Sequence, residues 1–323
     1  MTLDEIKAPV RTEMSDFEPF FKQQLKSPYK LLSVVTNYIL RRKGKQMRPL
    51  LVFLAAKATG AISPRTYTAA TLIELLHTAT LVHDDVVDET YQRRGQFSVN
   101  AIWNSKVSVL VGDFFLARGM QVALDGDHYD VLKIVSKAVS EISEGELVQI
   151  DHARRLDIEE ETYFEIIRKK TATLIAACTQ AGAYSATSDN TLIEALYQYG
   201  VNLGIAFQIR DDIFDFEDTG LFGKPSGNDI RERKITLPLI YALGQAPAKE
   251  KREMMSLIGS HYKEDSTIER ALVFTQKNGG IEYARNRMHD FSLKAKEALS
   301  AVADSDAKQS LLQLVDFNEQ RKK

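Results

Sequence analysis

Apolar residues recur along most of the chain with the three- and four-residue spacing that places them on one face of a helix. Leu72, Leu75, Leu76 and Ala79 form one such stripe, and residues 131–142 carry another. Few segments show the strict alternation of apolar and polar residues that half-buried β-strands need. Segments that are apolar on much of a helix circumference belong inside a large bundle. The pattern therefore predicts an all-α fold built as a large helical bundle.

Proline and glycine mark where these helices end. The sequence has no proline between Pro64 and Pro225 and none after Pro247. Because proline costs about 3 kcal/mol inside a helix, these gaps favour long helices. The stretch from Gly60 to Pro64 predicts a short loop. No Ser/Gly linker, low-complexity tract or charge block divides the chain, so we predict one helical domain over residues 1–323.

Two further breaks in the helical pattern are polar. Residues 93–96 read Arg-Arg-Gly-Gln, and residues 218–234 (DTGLFGKPSGNDIRERK) form the longest irregular stretch, rich in glycine, proline and charge. Loops of this length in a compact domain are usually lids or binding loops. We therefore expect residues 218–234 to be a loop that takes part in binding.

Composition narrows the possible functions. The chain has 323 residues, 44% hydrophobic content and a net charge of −2, so its charge gives no reason to expect a nucleic acid or an acidic membrane surface as partner. The single cysteine, Cys178, fits a reducing compartment. The N-terminus is polar and acidic, unlike a secretory signal, and no stretch approaches the roughly 20 uninterrupted apolar residues of a membrane span. These features predict a soluble, cytoplasmic protein without stable membrane insertion.

Two apolar helical patterns run directly into carboxylates. The first is LLHTATLVHDDVVDET, residues 75–90, and the second is GIAFQIRDDIFDF, residues 204–216. Both clusters have the spacing i, i+1, i+4; their members are Asp84, Asp85 and Asp88 in the first and Asp211, Asp212 and Asp215 in the second. Helical geometry places Asp84 with Asp88 on one face, and Asp212 with Asp215 likewise.

Clustered carboxylates repel one another and are costly to bury unless a cation accompanies them. One such cluster could be a solvated acidic helix end, but two of them favour a trap for divalent cations. Oxygen ligands favour Mg²⁺, which keeps some waters and commonly bridges carboxylates to substrate phosphates. The two clusters hold more carboxylates than one ion needs, so we predict several Mg²⁺ ions that hold a polyanion such as a diphosphate.

Basic residues stand at loops and predicted helix ends beside these clusters. Any one of them could be an ordinary surface charge, but their recurrence there favours phosphate contacts. They are Lys45 and Arg48, Arg93 and Arg94, Lys169 and Lys170 before Thr171, and Lys224 and Lys234. His77 lies two helical turns before Asp84 on the same face, either as a core histidine or as a ligand contact.

With these motifs in place, the chain resembles the all-trans polyprenyl diphosphate synthase family across nearly its full length, and most of all its long-chain, octaprenyl-type members. The resemblance is carried by GKQMRP, LLHTATLVHDDVVDETYQRRG, LVGDFFLARG, EGELVQ, RKKTATLIAAC, GIAFQIRDDIFDF, GKPSGNDIRERKITLPL and EQRKK. Gln46 departs from the basic residue often found at its position. The resemblance implies a single helical bundle around a deep central cavity, usually a homodimer. It also implies a reaction that joins isopentenyl diphosphate to an allylic diphosphate, head to tail.

The resemblance implies roles for individual residues as well. The ligands of about three Mg²⁺ ions per active site would be Asp84, Asp88, Asp211, Asp212 and Asp215. The residues that carry the chemistry would be Asp84, Asp85, Asp88, Arg93, Lys170, Asp211 and Lys224. The allylic diphosphate would contact Arg93, Lys170, Thr171, Gln208, Lys224 and Lys234. Isopentenyl diphosphate would contact Gly44, Lys45, Arg48, His77 and Arg94.

Product length depends on the residues just before the first acidic motif. In this family, bulky aromatic residues four or five positions before it stop the product at farnesyl length. Here those positions are Thr80 and Ala79, both small, and the helical wheel places Thr80 nearer the face of Asp84. We therefore predict a long-chain product, grown from an allylic primer such as farnesyl diphosphate and used for quinone side chains. A farnesyl or geranylgeranyl diphosphate synthase is the alternative.

Two other classes of protein would use the same residues differently. A metal phosphohydrolase would use His83 and Asp84 with further histidines, but the other histidines follow no such pattern, and the second acidic motif would go unexplained. A non-catalytic partner subunit is the binding-protein alternative. Such subunits lose their aspartate motifs, and this chain keeps both.

Overall fold

The computed structural model describes residues 2–41, 44–93, 95–217 and 227–321, and most of these residues lie in helices. The helices are α1 (Leu3–Ile6), α2 (Arg11–Gln24), α3 (Lys30–Leu40), α4 (Met47–Thr59), α5 (Pro64–Val87), α6 (Val99–Asp125), α7 (Tyr129–Arg155), α8 (Glu160–Ile167), α9 (Thr173–Ala186), α10 (Asn190–Phe216), α11 (Asn228–Arg231), α12 (Leu237–Gln245), α13 (Ala248–Ser260), α14 (Asp265–Lys277), α15 (Gly280–Ala298) and α16 (Asp306–Gln320). Short 3₁₀ turns occur at Ala8–Val10 and Leu299–Ala301, and a π-helical turn at Arg168–Ala172.

Strand structure within the described ranges is limited to one small ribbon. Strands β1 (Gln92–Arg93) and β2 (Gln96–Phe97) pair antiparallel, with Gln92 opposite Phe97. Of the predicted break in the helical pattern at residues 93–96, Arg93 and Gln96 lie in this ribbon, and Arg94 lies outside the described residues. The all-α prediction is confirmed.

The chain divides into two compact units. The first consists of Met1–Lys137, Ala177–Leu196 and Ala301–Leu311, and the second of Ala138–Ala176, Tyr197–Ser300 and Leu312–Lys323. Because the chain passes from one unit to the other several times, neither unit is a continuous segment. A single domain over residues 1–323 remains a prediction.

The core of the first unit contains helix α4, whose residues from Pro49 to Ala56 are all buried. A helix buried around its whole circumference is what the apolar composition of this segment predicts. Gly60 ends α4, and α5 begins at Pro64 behind the capping residue Ser63, so the loop predicted there is confirmed.

Helices α5 and α6 pack closely along their length in the first unit. Gly119 of α6 allows this approach, because a Cβ atom at that position would lie 3.0 Å from Leu72 Cδ1 and 3.6 Å from Leu75 Cβ. Leu72 and Leu75 belong to the apolar stripe that the sequence shows on α5. The apolar stripe predicted from the sequence therefore packs against α6.

The core of the second unit lies around α10 and the helices that follow it. Ile205, Ile209 and Ile213 of α10 are buried in one cluster with Tyr163 of α8 and Leu237 of α12. A second cluster joins α12 to α13 and α14 through residues that include Leu239, Met254, Ile258, Ile268 and Phe274. These clusters hold the C-terminal half of α10, where the second acidic motif lies.

Helix α6 is long and apolar enough, by length and composition alone, to cross a membrane, the one such helix among the described residues. This is weak evidence, because the core helices of soluble proteins pass the same test. The helix is also interrupted at Asn104, whose φ of 74° and ψ of 169° are not helical.

The predicted loop over residues 218–234 is described only in part, since residues 218–226 lie outside the described ranges. Within the rest, Asn228–Arg231 form the short helix α11. The prediction of an irregular stretch is therefore wrong for these residues. The sequence did not reveal that Asp215 would accept hydrogen bonds from the first backbone amides of this turn.

Candidate active site

The first acidic motif lies at the C-terminal end of α5, which ends at Val87. The side chains of Asp84 and Asp88 are exposed, whereas Asp85 is only 3% exposed. The Asp88 amide donates to the Asp84 carbonyl at 2.8 Å and the Thr90 amide to the Asp85 carbonyl at 2.9 Å, which closes the helix end. Carboxylates at this end face the negative pole of the helix dipole, so the position favours accompanying cations.

His83 does not face the same way as the aspartate that follows it. Its Nε2 atom lies 3.2 Å from the Val109 carbonyl oxygen of α6, and its ring lies against Gly112. The ring is therefore directed to a neighbouring helix rather than to a site shared with Asp84. A metal phosphohydrolase would need this ring at its metal, so the placement of His83 against α6 argues against that alternative.

The second acidic motif occupies the last turns of α10 and is largely buried. Asp212 is 3% exposed and Asp215 is 8% exposed, while the side chain of Asp211 is 42% exposed. Helical geometry correctly predicts that Asp212 and Asp215 share one face. That face is directed into the second unit.

Asp212 is held by two side chains. Tyr163 Oη donates to Asp212 Oδ2 at 2.6 Å, and Gln208 Nε2 donates to Asp212 Oδ1 at 2.8 Å. Thr171 Oγ1 in turn donates to Gln208 Oε1 at 2.7 Å. The structure thus joins three residues predicted from sequence, Thr171, Gln208 and Asp212, into one hydrogen-bonded chain.

Burial raises the pKa of Asp212 to about 7, against the opposing hydrogen bonds from Tyr163 and Gln208. The negative charges of Asp211 and Asp215 contribute to this rise. Burial likewise raises the pKa of Tyr163, with Asp212 adding to the effect. Burial is thus the largest cause of the raised pKa of Asp212, and the neighbouring carboxylates add to it.

Asp215 is held by backbone donors. Its Oδ1 accepts from the Asn228 amide at 3.0 Å, and its Oδ2 accepts from the Asp229 amide at 2.9 Å. Asp229 is a further carboxylate in this cluster: burial raises its pKa, and the charges of Asp212 and Asp215 raise it more. Sequence reasoning missed Asp229 because its spacing from the motif spans a loop, although it lies in the quoted segment GKPSGNDIRERK.

Asp211 is paired with the C-terminal segment. The Arg321 guanidinium hydrogen-bonds to Asp211 Oδ1, and its Cζ lies 4.4 Å from the ring centroid of Phe207 and 5.2 Å from that of Phe214. Arg210 Nη2 donates to the Arg321 carbonyl at 2.7 Å. Burial raises the pKa of Asp211, and Arg321 opposes that effect. The basic tail noted in the sequence thus meets the second acidic motif.

A π-helical turn sets the positions of Lys170 and Thr171. It covers Arg168–Ala172, between α8 and α9. Gly145 of α7 leaves room for it, since a Cβ atom there would lie 2.8 Å from Lys169 Cβ and 3.1 Å from the Lys170 backbone nitrogen. π-Helical turns of this kind are frequent at functional sites.

Lys170 and Lys234 both have acidic neighbours in the second unit. Lys170 Nζ lies 2.5 Å from Glu146 Oε2 and 3.4 Å from Gln149 Oε1. Burial by itself lowers the pKa of Lys234, but Glu232, Asp229 and Glu146 outweigh it and raise the pKa. The Lys234 ammonium is therefore charged, and both ammonium groups lie among carboxylates.

The remaining predicted residues lie on α4 and α5, just before α4, or outside the described ranges. Gly44 and Lys45 are exposed just before α4, Arg48 is half-buried in its first turn, and His77 is half-buried on α5. Arg94 and Lys224 lie outside the described residues, as does the side chain of Arg93.

The two product-length positions differ in burial. Ala79 is fully buried, while Thr80 is half-buried and its hydroxyl donates to the His77 carbonyl at 2.9 Å. Exposed Asp84 lies one helical turn beyond Thr80. The helical wheel and the burial of α5 therefore both place Thr80, rather than Ala79, nearer the face that carries Asp84.

The carboxylates suit a divalent cation, although no three carboxylate or imidazole side chains of the described residues form a ready-made metal site. Mg²⁺ does not need one, because it is usually held by one or two carboxylates with substrate phosphates and water completing its shell. Burial and mutual repulsion raise the pKa values of Asp212 and Asp229. A bound cation would relieve both effects, so the donor set fits one.

Comparison with known proteins shows the family to which this chain belongs. The polyprenyl synthetase family model matches residues 29–274. Octaprenyl diphosphate synthase of Haemophilus influenzae is 34% identical over 97% of this chain and 95% of its own length.

The solved structures that resemble this chain also include prenyl synthases. A polyprenyl synthase from Caulobacter crescentus complexed with calcium and isoprenyl diphosphate is 34% identical, with a TM-score of 0.90 over 99% of this chain and 98% of that one. A geranylgeranyl pyrophosphate synthase from Bacteroides thetaiotaomicron is 39% identical, with a TM-score of 0.83 over 98% of each chain. The chain described here belongs to the polyprenyl synthetase family.

Proposed function

We propose that this protein is a Mg²⁺-dependent trans-polyprenyl diphosphate synthase that extends an allylic diphosphate, such as farnesyl diphosphate, with isopentenyl diphosphate. The observation that carries the proposal is the second acidic cluster, where three aspartates of α10 and Asp229 are held in place by neighbouring residues. Such a cluster is costly without a cation, and a diphosphate brings cations with it. The family match and the calcium and isoprenyl diphosphate in the Caulobacter protein support the same substrate class.

In the proposed reaction the allylic C–O bond breaks and its electron pair leaves with the diphosphate. The double bond of isopentenyl diphosphate then forms the new C–C bond, and loss of a proton gives the elongated allylic product. The released diphosphate can accept that proton. Bound Mg²⁺ would supply positive charge to the leaving diphosphate.

The protein's own groups would orient the substrates and meet the developing charge. Lys170 and Lys234 would offer charged donors to the allylic diphosphate, with Thr171 and Gln208 beside them, and Lys45 and Arg48 would serve isopentenyl diphosphate. Charge-assisted bonds of this kind contribute about 1.5–3 kcal/mol each. Fixed charges aimed at developing charge are commonly the largest catalytic contribution. The hydrocarbon chain needs dry, apolar surroundings so that water does not quench the cation.

The product we propose is a long-chain polyprenyl diphosphate of octaprenyl type, with quinone side chains as its use. The support is the pair of small residues at Ala79 and Thr80 and the octaprenyl relative. The geranylgeranyl synthase among the similar structures keeps a shorter product as the second candidate.

We also propose a cytoplasmic homodimer. Helix α6 exposes Ile102, Val109, Leu110, Met120 and Leu124, and beyond the interruption at Asn104 these positions fall within about one third of the helix circumference. An apolar face of this kind on an otherwise well-packed helix favours burial against a second copy. Light scattering of the purified protein tests it, and a monomer at micromolar concentration would contradict it.

The direct test of function is a product assay. Purified protein is incubated with isopentenyl and farnesyl diphosphates and Mg²⁺, and the products are compared with polyprenol standards. We expect diphosphate release together with a long-chain product, and loss of both in excess chelator. Turnover that persists in chelator would contradict metal dependence, and products of fifteen or twenty carbons would select the short-chain alternative.

Product length has its own matched test. Thr80→Phe places a ring on the half-buried face of α5 and is expected to shorten the product while the chemistry continues. Ala79→Phe places the same ring at a fully buried position, where overpacking costs about 1–3 kcal/mol, so it is expected to lower stability more. If only Ala79→Phe shortens the product, the hydrocarbon lies on the other face of α5.

A further inference from the structure

The residue before the first acidic motif makes a contact that the proposed chemistry does not use. His83 Nε2 lies 3.2 Å from the Val109 carbonyl oxygen and 3.5 Å from Asp113 Oδ1, both on α6. A carbonyl oxygen can only accept a hydrogen bond, so Nε2 carries the hydrogen and donates it. The imidazole is therefore fixed on α6 by a directed bond as well as by packing.

Gly112 makes room for this ring. A Cβ atom at Gly112 would lie 2.8 Å from His83 Cε1 and closer still to Nε2 and Cδ2. Any side chain at position 112 would therefore force the ring out or push α5 and α6 apart. Because Gly112 has no side chain, α5 and α6 can pack closely with the His83 ring between them.

This contact comes where α5 most needs support. The helix ends at Val87, only four residues after His83, and the donors to its last carbonyls come from residues 88–90, which lie beyond the helix. Helix ends of this kind fray unless something fixes them. Asp84 follows His83 directly, so a fixed ring restricts the rotation of the turn that carries the aspartates.

We infer that His83 is a positioning residue: seated over Gly112, it fixes the last turn of α5 and so the direction in which Asp84 and Asp88 present their carboxylates to metal. The inference rests on the proposed function, since it concerns the metal sites of that reaction. Asp113 contributes less, because its side chain is 59% exposed and exposed ion pairs are weak.

The test is a double-mutant comparison with a matched control. His83→Ala and Gly112→Ala are each expected to raise the Mg²⁺ concentration for half-maximal activity about 10-fold, the low end of effects seen for residues that orient metal ligands. In His83→Ala/Gly112→Ala the added methyl group meets no ring, so the double variant should match His83→Ala within about twofold. Asp113→Asn should behave like the parent protein.

The control is Gly119→Ala, one heptad further along the same face of α6, where the added methyl would meet Leu72 and Leu75 instead of His83. It is expected to lower the melting temperature but to leave the Mg²⁺ requirement and both substrate KM values unchanged. If Gly112→Ala and Gly119→Ala shift the Mg²⁺ requirement equally, or if the double variant is worse than either single one, the role of His83 is wrong.

A second readout does not depend on turnover. Mn²⁺ binding in the presence of inorganic diphosphate, followed by electron paramagnetic resonance, should be weaker in His83→Ala than in the parent protein. The double variant should bind Mn²⁺ as weakly as His83→Ala does. Thermal unfolding of the same four proteins tests the steric fit by itself. If the parent protein binds no Mn²⁺ with diphosphate, the proposed function fails, while non-additive melting temperatures would still show that His83 and Gly112 interact.

Discussion

The acidic motif of α5 and that of α10 share one spacing, yet the fold surrounds them differently. Asp84 and Asp88 are exposed where α5 ends, whereas Asp212 and Asp215 are buried within α10. The second motif is held by Tyr163, Gln208, Arg321 and the backbone of α11. Identical spacing thus decides which carboxylates share a helical face, but it does not decide how deeply each carboxylate is buried.

The difference has a consequence for how the two motifs should respond to substitution. A carboxylate exposed at a helix end can be replaced with little effect on folding, so its loss should appear in activity alone. A buried carboxylate that accepts backbone and side-chain hydrogen bonds is part of the packing, so its loss should appear in stability too. The following expectations test this contrast.

The largest effect is expected for Asp88→Asn in the first motif. If Asp88 is the metal ligand that we propose, its removal should lower kcat by about 10²–10³-fold, the size of effect seen when one group that stabilises a transition state is lost. The free energy of unfolding should change by less than about 0.5 kcal/mol. Steady-state kinetics and urea denaturation measure both quantities.

Glu89→Gln is the matched control for Asp88→Asn, because it removes the same charge from the next exposed residue. It should keep near-parental kcat. An equal loss in Glu89→Gln would mean that net negative charge, rather than ligation, explains the effect.

Asp215→Ala in the second motif should affect both properties. Besides losing activity, the variant leaves the Asn228 and Asp229 amides without their acceptor, which should cost about 1.5–3 kcal/mol of stability, the range for hydrogen bonds to a charged group. Asp215→Asn keeps one carbonyl acceptor and should lose less stability. If Asp215→Ala is as stable as the parent, the contrast between the two motifs is wrong.

The two motifs should also differ in how pH affects stability and the Mg²⁺ requirement. Because the folded-state pKa of Asp212 is raised from its ordinary 3.8 to about 7, its contribution to stability is present below its ordinary pKa and lost as pH rises through about 7. The metal-free protein should therefore lose melting temperature over this window, and Asp212→Asn should lose less. Mg²⁺ must displace the proton, so the Mg²⁺ requirement should rise by up to about tenfold per pH unit below pH 7.

Two measurements check the pH prediction. Calorimetry of the parent and Asp212→Asn across this window tests the stability part, and Mg²⁺ titrations of activity at several pH values test the metal part. An Asp88→Asn protein that showed the same change in pH dependence would contradict the assignment to the buried motif.

The smallest effect is expected for Arg321→Ala. Its guanidinium pairs with Asp211, the most exposed member of the second motif, and would compete with the proposed cation for that carboxylate. Since partly exposed ion pairs are worth about 0.2–1 kcal/mol, Mn²⁺ affinity in the substrate-free protein should rise about two- to fivefold. Arg321→Lys, which keeps the charge, should restore most of the parental affinity. Unchanged affinity in Arg321→Ala would show that the tail does not oppose metal binding.

Much of the fold and of the chemistry could be predicted from the sequence. Apolar spacing such as Leu72, Leu75 and Ala79 indicates helices because it depends only on the geometry of one helix. Gly60 and Pro64 mark the loop between α4 and α5 for an equally local reason. The family assignment, carried by the repeated acidic motifs and their flanking segments, is confirmed by the family model and the relatives. The metal ligands and the individual substrate contacts remain predictions.

The tertiary structure alone decided the surroundings of those residues. Tyr163, which donates to Asp212, lies 49 residues away from it in the sequence. The Asp229 amide, which donates to Asp215, lies 14 residues away from it. No local spacing rule covers such distances. Burial, which raises the pKa of Asp212 to about 7 while Asp88 remains exposed, is a property of packed helices and not of one segment. The direction of His83 toward Gly112 follows from the same cause, since a sequence specifies which side chains share a helix face, whereas the partner that each face meets is decided only when the helices pack.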